Sequence, residues 1–187
     1  MFTGIVQAVG RIVATVPHEI DVGALDMRGV AVGDSICVQG ACLTVTGLTG
    51  RGFKTDVSAE TLALTTGLDR PGPVNLEKAM RLSDALGGHL VTGHVDGIGE
   101  VVGYDGPVYR LRAPAALARY IARKGSVCVD GVSLTVNRVN GEEFEVNLIP
   151  HTLAHTTLSR LAPGARVNLE IDLVARYLER LLAARGD

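Results

Sequence analysis

The chain is written twice. Ser35-Ile36-Cys37-Val38-Gln39-Gly40-Ala41-Cys42-Leu43-Thr44-Val45 returns as Ser126-Val127-Cys128-Val129-Asp130-Gly131-Val132-Ser133-Leu134-Thr135-Val136, with seven of the eleven positions identical at an offset of 91 residues. Glu60 to Thr66 matches His151 to Thr157 at the same offset. Thr3-Gly4-Ile5-Val6 pairs with Thr92-Gly93-His94-Val95 at offset 89, and Val74-Asn75-Leu76-Glu77 with Val167-Asn168-Leu169-Glu170 at offset 93. The drift of a few residues fits small loop insertions between matched strands. A match of this extent marks an internal duplication, so both halves must fold into the same unit.

Within each copy, short apolar runs are broken by turn pairs such as Gly33-Asp34, Thr49-Gly50 and Asn140-Gly141. That spacing predicts a compact antiparallel barrel rather than βαβ units. The second copy adds Pro114 to Ile121, read as a short helix with proline at its start. Arg81 to Gly88 links the copies, with Gly87-Gly88 at the boundary. The expected division is therefore 1–88, 89–172 and a terminal helix over 173–187. In that last segment Leu173, Val174, Tyr177, Leu178, Leu181 and Leu182 recur at helical spacing. Asp172 stands where an N-cap belongs, and Arg180 and Arg185 complement the helix dipole at the other end. A barrel does not need this extra apolar stripe, so the helix is expected to dock onto another subunit.

Composition removes several classes of function. Of 187 residues, 18 are Lys or Arg and 20 are Asp or Glu, a net charge of −2 with no basic run. Neither nucleic acid nor an anionic membrane surface is an expected partner. No 18-residue apolar stretch could span a bilayer, and the first residues lack the basic flank and small-residue cleavage site of a secretory signal. Three cysteines without a Cys-x-x-Cys spacing do not suggest a disulfide framework. A soluble cytoplasmic protein is expected.

Comparing the copies separates scaffold from chemistry. Cys37 and Cys128 occupy the same slot inside apolar strands and read as buried packing. Cys42 is paired with Ser133, so that slot holds a small nucleophilic or polar group in both copies. In an extended strand Cys42 and Thr44 share one face, and Ser133 and Thr135 repeat the arrangement. Such a face can hydrogen-bond a polar heterocycle or simply meet solvent; the pattern leaves both open. Gly4 and Gly93 allow a ring to approach the backbone closely, or mark a turn. His89 and His94 lie five apart with no further ligand at metal spacing. His151 and His155 lie four apart, but Glu60 and Leu64 hold those positions in the first copy. No metal is expected, and no phosphate-cradling glycine loop is present.

Taken in order, Met1-Phe2-Thr3-Gly4-Ile5-Val6, Gly40-Ala41-Cys42-Leu43-Thr44-Val45, residues 87–97 (GGHLVTGHVDG), Asp130-Gly131-Val132-Ser133-Leu134-Thr135-Val136 and residues 167–172 (VNLEID) closely resemble the riboflavin synthase family. The resemblance runs through nearly the whole chain. It implies an all-β fold of two tandem six-stranded Greek-key barrels with a C-terminal helix at the centre of a homotrimer. It implies a reaction in which two molecules of 6,7-dimethyl-8-ribityllumazine exchange a four-carbon unit, giving riboflavin and 5-amino-6-ribitylaminouracil, with no cofactor. An association with lumazine synthase is a further partner the family suggests. The stretch from Val16 to Val32 is short for the family, which predicts a trimmed outer strand in the first barrel.

Carried over residue by residue, the family's ligand segments fall on Gly4, Ile5 and Val6, on Cys42, Leu43 and Thr44, and on Asp56, Val57, Ser58, Ala59, Glu60 and Thr61, expected to line a first site. A second site is expected from Gly93, His94 and Val95, from Ser133, Leu134 and Thr135, and from Asn147, Leu148, Ile149, Pro150, His151 and Thr152, with Lys124 beside it. Phe2 and Ser35 are expected to shape the first. Because donor and acceptor must behave differently, asymmetry between the copies points to chemistry: Ile5 becomes His94, Cys42 becomes Ser133 and Ala79 becomes Asp172. Cys42, Ser133, His94, Asp172 and Ser35 are thus the catalytic candidates. Histidine suits a proton carrier because it titrates near neutrality; Asp172 would orient a neighbour, cap the helix, or both. A non-catalytic lumazine or flavin binder on the same barrels is the rival reading, but both copies here keep their polar pairs.

Overall fold

The computed structural model describes residues 1–184. In the first repeat, β1 (Ala8–Thr15), β2 (His18–Asp21), β3 (Ser35–Val38), β4 (Ala41–Thr49), β5 (Gly52–Thr55) and β6 (Gly72–Lys78) close in the order β1-β2-β5-β4-β3-β6. In the second, β7 (Gly97–Asp105), β8 (Val108–Arg112), β9 (Ser126–Val129), β10 (Val132–Asn140), β11 (Glu143–Asn147) and β12 (Arg166–Ile171) close the same way, β7-β8-β11-β10-β9-β12. Both are antiparallel barrels of six strands, as the repeat and the resemblance predict. β2 has four residues where its counterpart β8 has five, yet it still pairs with β1 and β5 and the barrel closes.

Period-two alternation builds each wall. Along β4, Ala41, Leu43 and Val45 are buried while Cys42 and Thr44 face outward. β10 repeats this with Val132, Leu134 and Val136 inside and Ser133 and Thr135 outside. Bulges fall at matching places, between Val45 and Gly47 in β4 and between Val136 and Arg138 in β10. Such bulges sharpen the local bend that a small barrel needs. Each barrel holds its own core, led by Phe53, Ile12, Ile20 and Leu76 in the first and by Phe144, Leu111, Leu148 and Leu169 in the second. Burying each such side chain is worth about 1.5–3 kcal/mol.

A separate small cluster joins the barrels: Phe2, Cys37, Val91 and Cys128. Phe2 and Val91 are repeat partners and bridge antiparallel, with the Phe2 N–H donating to Val91 O at 2.7 Å and the Val91 N–H to Phe2 O at 3.1 Å. Two asparagines extend the joint. Asn75 donates to Asp130 O (2.8 Å) and accepts the Thr157 N–H (2.7 Å), while Asn168 donates to Gln39 O (2.8 Å) and accepts the Thr66 N–H (2.7 Å). Each partner in one set is the repeat equivalent of its partner in the other, so the barrels are related by a pseudo-two-fold axis.

Among the described residues, four short α-helices, α1 (Ala59–Leu64), α2 (Ala115–Ala118), α3 (Pro150–His155) and α4 (Leu173–Ala183), and a 3-10 turn over Thr157–Arg160 accompany the barrels. α2 is briefer than the sequence suggested, with Pro114 at its N-cap rather than inside it. Asp172 caps α4 as expected, its Oδ1 accepting the Val174 N–H at 2.9 Å, and Arg180 lies in the last turn; Arg185 lies outside the described residues. α4 exposes Val174, Tyr177, Leu178, Leu181 and Leu182. Among the described residues, no helix is long and apolar enough to cross a membrane.

Candidate active site

Each repeat opens on a Thr-Gly pair held by a buried glutamate. Glu77 on β6 accepts the Thr3 N–H and hydroxyl on Oε1, both at 2.7 Å, and the Gly4 N–H on Oε2 at 3.0 Å. Glu170 on β12 does the same for Thr92 (2.6 and 2.7 Å) and Gly93 (2.9 Å). A carboxylate with three donors converging on it acts as a clamp, since ionised acceptors form the stronger hydrogen bonds. Burial pushes the Glu77 carboxyl above its usual range, and the donors from Thr3 and Gly4 pull the other way.

The clamped segments then cross over. Gly4 O accepts the Ser133 N–H of the second barrel at 2.8 Å, and Gly93 O accepts the Cys42 N–H of the first at 2.8 Å. Beyond them, Val6 packs on the core of the second barrel and Val95 on that of the first. The expected grouping by copy is therefore corrected. Gly93, His94 and Val95 join Cys42, and Gly4, Ile5 and Val6 join Ser133. The reason is steric as well as hydrogen-bonded: a Cβ on Gly93 would sit 2.6 Å from Cys42 Cβ, and one on Gly4 would sit 2.6 Å from Ser133 Cβ. Both glycines hold positive φ, +78° and +75°.

The first barrel has an open cavity of about 220 Å³ at this crossing, lined by Ala41, Cys42, Glu60, Thr61, Leu64, Thr65, Gly93, His94 and Val95. α1 supplies its far wall. Ser58 caps that helix, accepting the Thr61 N–H at 3.0 Å, and Asp56 and Val57 lead into it. Ala59 opens the helix, so the predicted run 56–61 forms the loop and first turn. The cavity combines a partly exposed thiol, an exposed imidazole, a carboxylate and a hydroxyl within an apolar rim. Such a lining can hold a polar heterocycle and exchange protons with it.

At the equivalent place on the second barrel, Ser133 replaces the thiol. His89 Nδ1 lies 2.7 Å from Ser133 Oγ, and the His89 N–H donates to Thr3 O at 3.2 Å. Burial lowers the tendency of His89 to protonate, while the charges of Asp172 and Glu170 oppose that shift. α3 takes the place of α1. Asn147, Leu148 and Ile149 lead into it, and Pro150, His151 and Thr152 form its first turn. The His151 and His155 rings stack with centroids 4.1 Å apart where the first barrel has Glu60 and Leu64.

Several expected residues lie elsewhere. Phe2 is fully buried in the joint between the barrels, packed with Cys37, Val91 and Cys128. Leu43, Leu134 and Leu148 point into the barrel cores. Ser35 sits opposite Thr44 across the β3–β4 pair and lines a different cavity of about 490 Å³, with Lys78, Ala79 and Arg81. Lys124 occupies a left-handed turn (φ +68°) at the position of Gly33, its N–H bonded to Val136 O at 2.7 Å, and is exposed. His89 and His94 go to different barrels, which removes any reading of them as a pair.

Three residues escaped sequence reasoning: Glu77, Glu170 and His89. The two glutamates were visible as matched members of the repeat ends, and an acidic residue in an otherwise apolar strand was the available signal. His89 was weighed only as a metal ligand beside His94, and because it has no counterpart within the first repeat the comparison of copies could not mark it.

Comparison with known proteins agrees with this architecture. A sequence model of the lumazine binding domain matches residues 3–79 and again 92–172. The chain is 47% identical over 202 aligned positions to a riboflavin synthase of Mycobacterium tuberculosis (strain ATCC 25618 / H37Rv), covering all of both chains. It is 44% identical to a riboflavin synthase of Photobacterium phosphoreum, over 97% of this chain and 89% of that one. Among solved structures, LumP complexed with riboflavin superposes with a TM-score of 0.81 at 24% identity, over 91% of this chain and 99% of the other. That likeness bears on the fold.

Proposed function

The chain belongs to the riboflavin synthase family of lumazine-binding proteins, and from that premise we propose that it converts two molecules of 6,7-dimethyl-8-ribityllumazine into riboflavin and 5-amino-6-ribitylaminouracil. The observation that carries the proposal is the duplicated crossing: Cys42 with Gly93 on one barrel, Ser133 with Gly4 on the other. A reaction between two identical molecules calls for two related binding surfaces, and the paired crossings support that reading.

Holding the two reactants at fixed orientation supplies much of the rate. Proximity of this kind is worth roughly 7–11 kcal/mol in favourable cases. The remaining chemistry is proton transfer from the acidic 7-methyl group of one lumazine and nucleophilic addition to the other. We assign Cys42 and His94 to the first site and Ser133 to the second, with the backbone of residues 42–44 and 133–135 and the first turns of α1 and α3 holding the ligands. Asp172 bridges two roles, capping α4 and placing a negative charge near His89. Ser35 lies outside the Cys42 cavity, so its part in the reaction requires the ligand or a neighbouring subunit to span the two cavities.

Cys42 and Ser133 lie on different barrels of one chain. Ligands meeting face to face therefore point to a site shared between subunits, first barrel to second barrel, in a homotrimer. The exposed apolar face of α4 supports such an assembly, since five large apolar side chains on one short helix call for a partner. Three unpaired cysteines suit a reducing cytoplasm.

The test is turnover. Purified protein mixed with 6,7-dimethyl-8-ribityllumazine and a chelator is expected to yield one riboflavin per two lumazines consumed, followed by absorbance and fluorescence. Tight lumazine binding without product would identify a binder instead and remove the catalytic assignments.

A further inference from the structure

The geometry points to His89 as a positioning residue of the second site, holding the Ser133 hydroxyl in one direction and locking the linker between the repeats over it. This rests on the synthase reading above and adds a residue to its machinery.

The linker leaves the first barrel beside Arg81 and Asp84, and its last residue, Gly88, is pressed onto Ser133 of the second. A Cβ on Gly88 would meet Thr3 O at 2.1 Å, Ser133 Cβ at 2.8 Å and Ser133 Oγ at 3.0 Å. Only a glycine lets the chain pass so close. The next residue, His89, turns inward and is 9% exposed. It ties down both strands of the crossing: its N–H donates to Thr3 O, and its Nδ1 shares a hydrogen with Ser133 Oγ at 2.7 Å. Thr3 is in turn clamped by Glu77, and Gly4 O accepts the Ser133 N–H. Ser133 is thus held at its backbone by Gly4 and at its hydroxyl by His89.

Cys42 lacks the second restraint. Its N–H is bound by Gly93 O, and although His94 lines the same cavity, among the described residues no histidine hydrogen-bonds its thiol. A hydroxyl aimed by an imidazole on one barrel and an unrestrained thiol on the other make two otherwise equivalent sites chemically distinct. A reaction between identical molecules needs that distinction.

The imidazole is also incompletely satisfied. Its Nε2 is buried and, among the described residues, has no hydrogen-bond partner. Buried polar atoms are nearly always paired, so this exception beside Ser133 calls for a reason. The charged groups facing the ring are Asp172, at the N-cap of α4, and Glu170 on β12. Burial disfavours the charged ring and these two carboxylates only partly offset it, so the ring meets Ser133 as a hydrogen-bonding partner rather than as a fixed cation.

The experiment compares His89→Ala, His89→Asn, Ser133→Ala and the double variant His89→Ala/Ser133→Ala, each checked for folding by circular dichroism. Asparagine places a hydrogen-bonding atom where Nδ1 stands. His89→Ala is expected to lower kcat by about tenfold to a hundredfold with little change in KM. His89→Asn should restore most of the loss, and the double variant should be no slower than Ser133→Ala alone. Full kcat in His89→Ala, or losses that multiply in the double variant, would overturn the assignment. Ring ¹⁵N shifts of His89 give an independent reading that does not need turnover: they should move in Ser133→Ala, and an unchanged ring signal rejects the coupling. If the wild type makes no riboflavin at all, the synthase reading fails, while the ring shifts still decide whether His89 holds Ser133.

Discussion

The carbonyl of Gly93, at the start of the second repeat, accepts the backbone N–H of Cys42 in the first barrel at 2.8 Å. Its repeat partner, Gly4, stands in the same relation to Ser133. The two halves therefore exchange their opening segments, and neither candidate site is complete within one repeat.

Gly93→Ala tests this exchange. The new methyl group would meet Cys42 at 2.6 Å on a backbone already at φ +78°. Strain and overpacking together should cost about 2–4 kcal/mol of stability, read by urea denaturation, with a matching loss of lumazine affinity at the first barrel. An alanine variant as stable as the parent would mean that the crossing is loose in solution.

Asn168 is the second place where the barrels are stitched. It donates to Gln39 O and Thr66 O and accepts the Thr66 N–H. Asn168→Ala leaves these buried groups unpaired and should destabilise the chain by roughly 2–4 kcal/mol. Differential scanning calorimetry checks it, and a split transition would show the barrels unfolding separately.

Asp130 occupies the slot that Gln39 fills in the first repeat, and its Oδ1 accepts the Asn168 N–H at 2.8 Å. Burial raises its carboxyl from 3.8 to about 7, against the pull of the Asn168 N–H and the Gln39 side chain. An acid whose folded value is raised binds more protons folded than unfolded. Its contribution to stability is therefore greatest below about pH 4 and declines as pH rises toward about 7. Asp130→Asn keeps the acceptor, tolerates the left-handed backbone at φ +50°, and should remove this slope. Stability of the variant at pH 8 is expected to exceed that of the parent by at least ~1 kcal/mol; parallel pH–stability curves would refute the assignment.

The cysteines differ sharply in reach. Cys37 and Cys128 are buried, and desolvation pushes both thiols up, whereas Cys42 is partly exposed in the first cavity. A thiol reagent should label one cysteine in the native protein and all three in denaturant. Lumazine should protect the one that reacts. Labelling of Cys37 at a comparable rate would show that the inter-barrel joint opens.

Assembly through α4 has a direct check. Leu178→Glu with Leu181→Glu places two charges on the exposed apolar face of that helix. Sedimentation should show a trimer for the parent and a smaller species for the variant. A parent that sediments as a monomer would remove the shared site.

Much of this was legible in the sequence because it is local. Alternation along Ala41 to Val45 places Leu43 inside and Cys42 outside whatever the rest of the chain does, since successive Cβ atoms point to opposite faces of a strand. The repeat extended that reading to Val132 to Val136, and Asp172 announced the start of α4. The grouping of Gly4 with Cys42 and of Gly93 with Ser133 came instead from sorting the family's ligand segments by copy, and the crossing of the two opening segments overturns it.

Local sequence pattern was enough for the unit: two barrels, their buried faces, the matched polar positions and the family they belong to. Which segment meets which barrel is set by the packing of one barrel on the other. The tertiary structure placed Gly93 on Cys42, buried Phe2 between the barrels, separated Ser35 from the Cys42 cavity and brought His89 to Ser133. Strand periodicity is set by neighbours one and two residues away, whereas these contacts join residues tens of positions apart. They depend on how two closed barrels dock about an axis, and no pattern within either repeat encodes that docking.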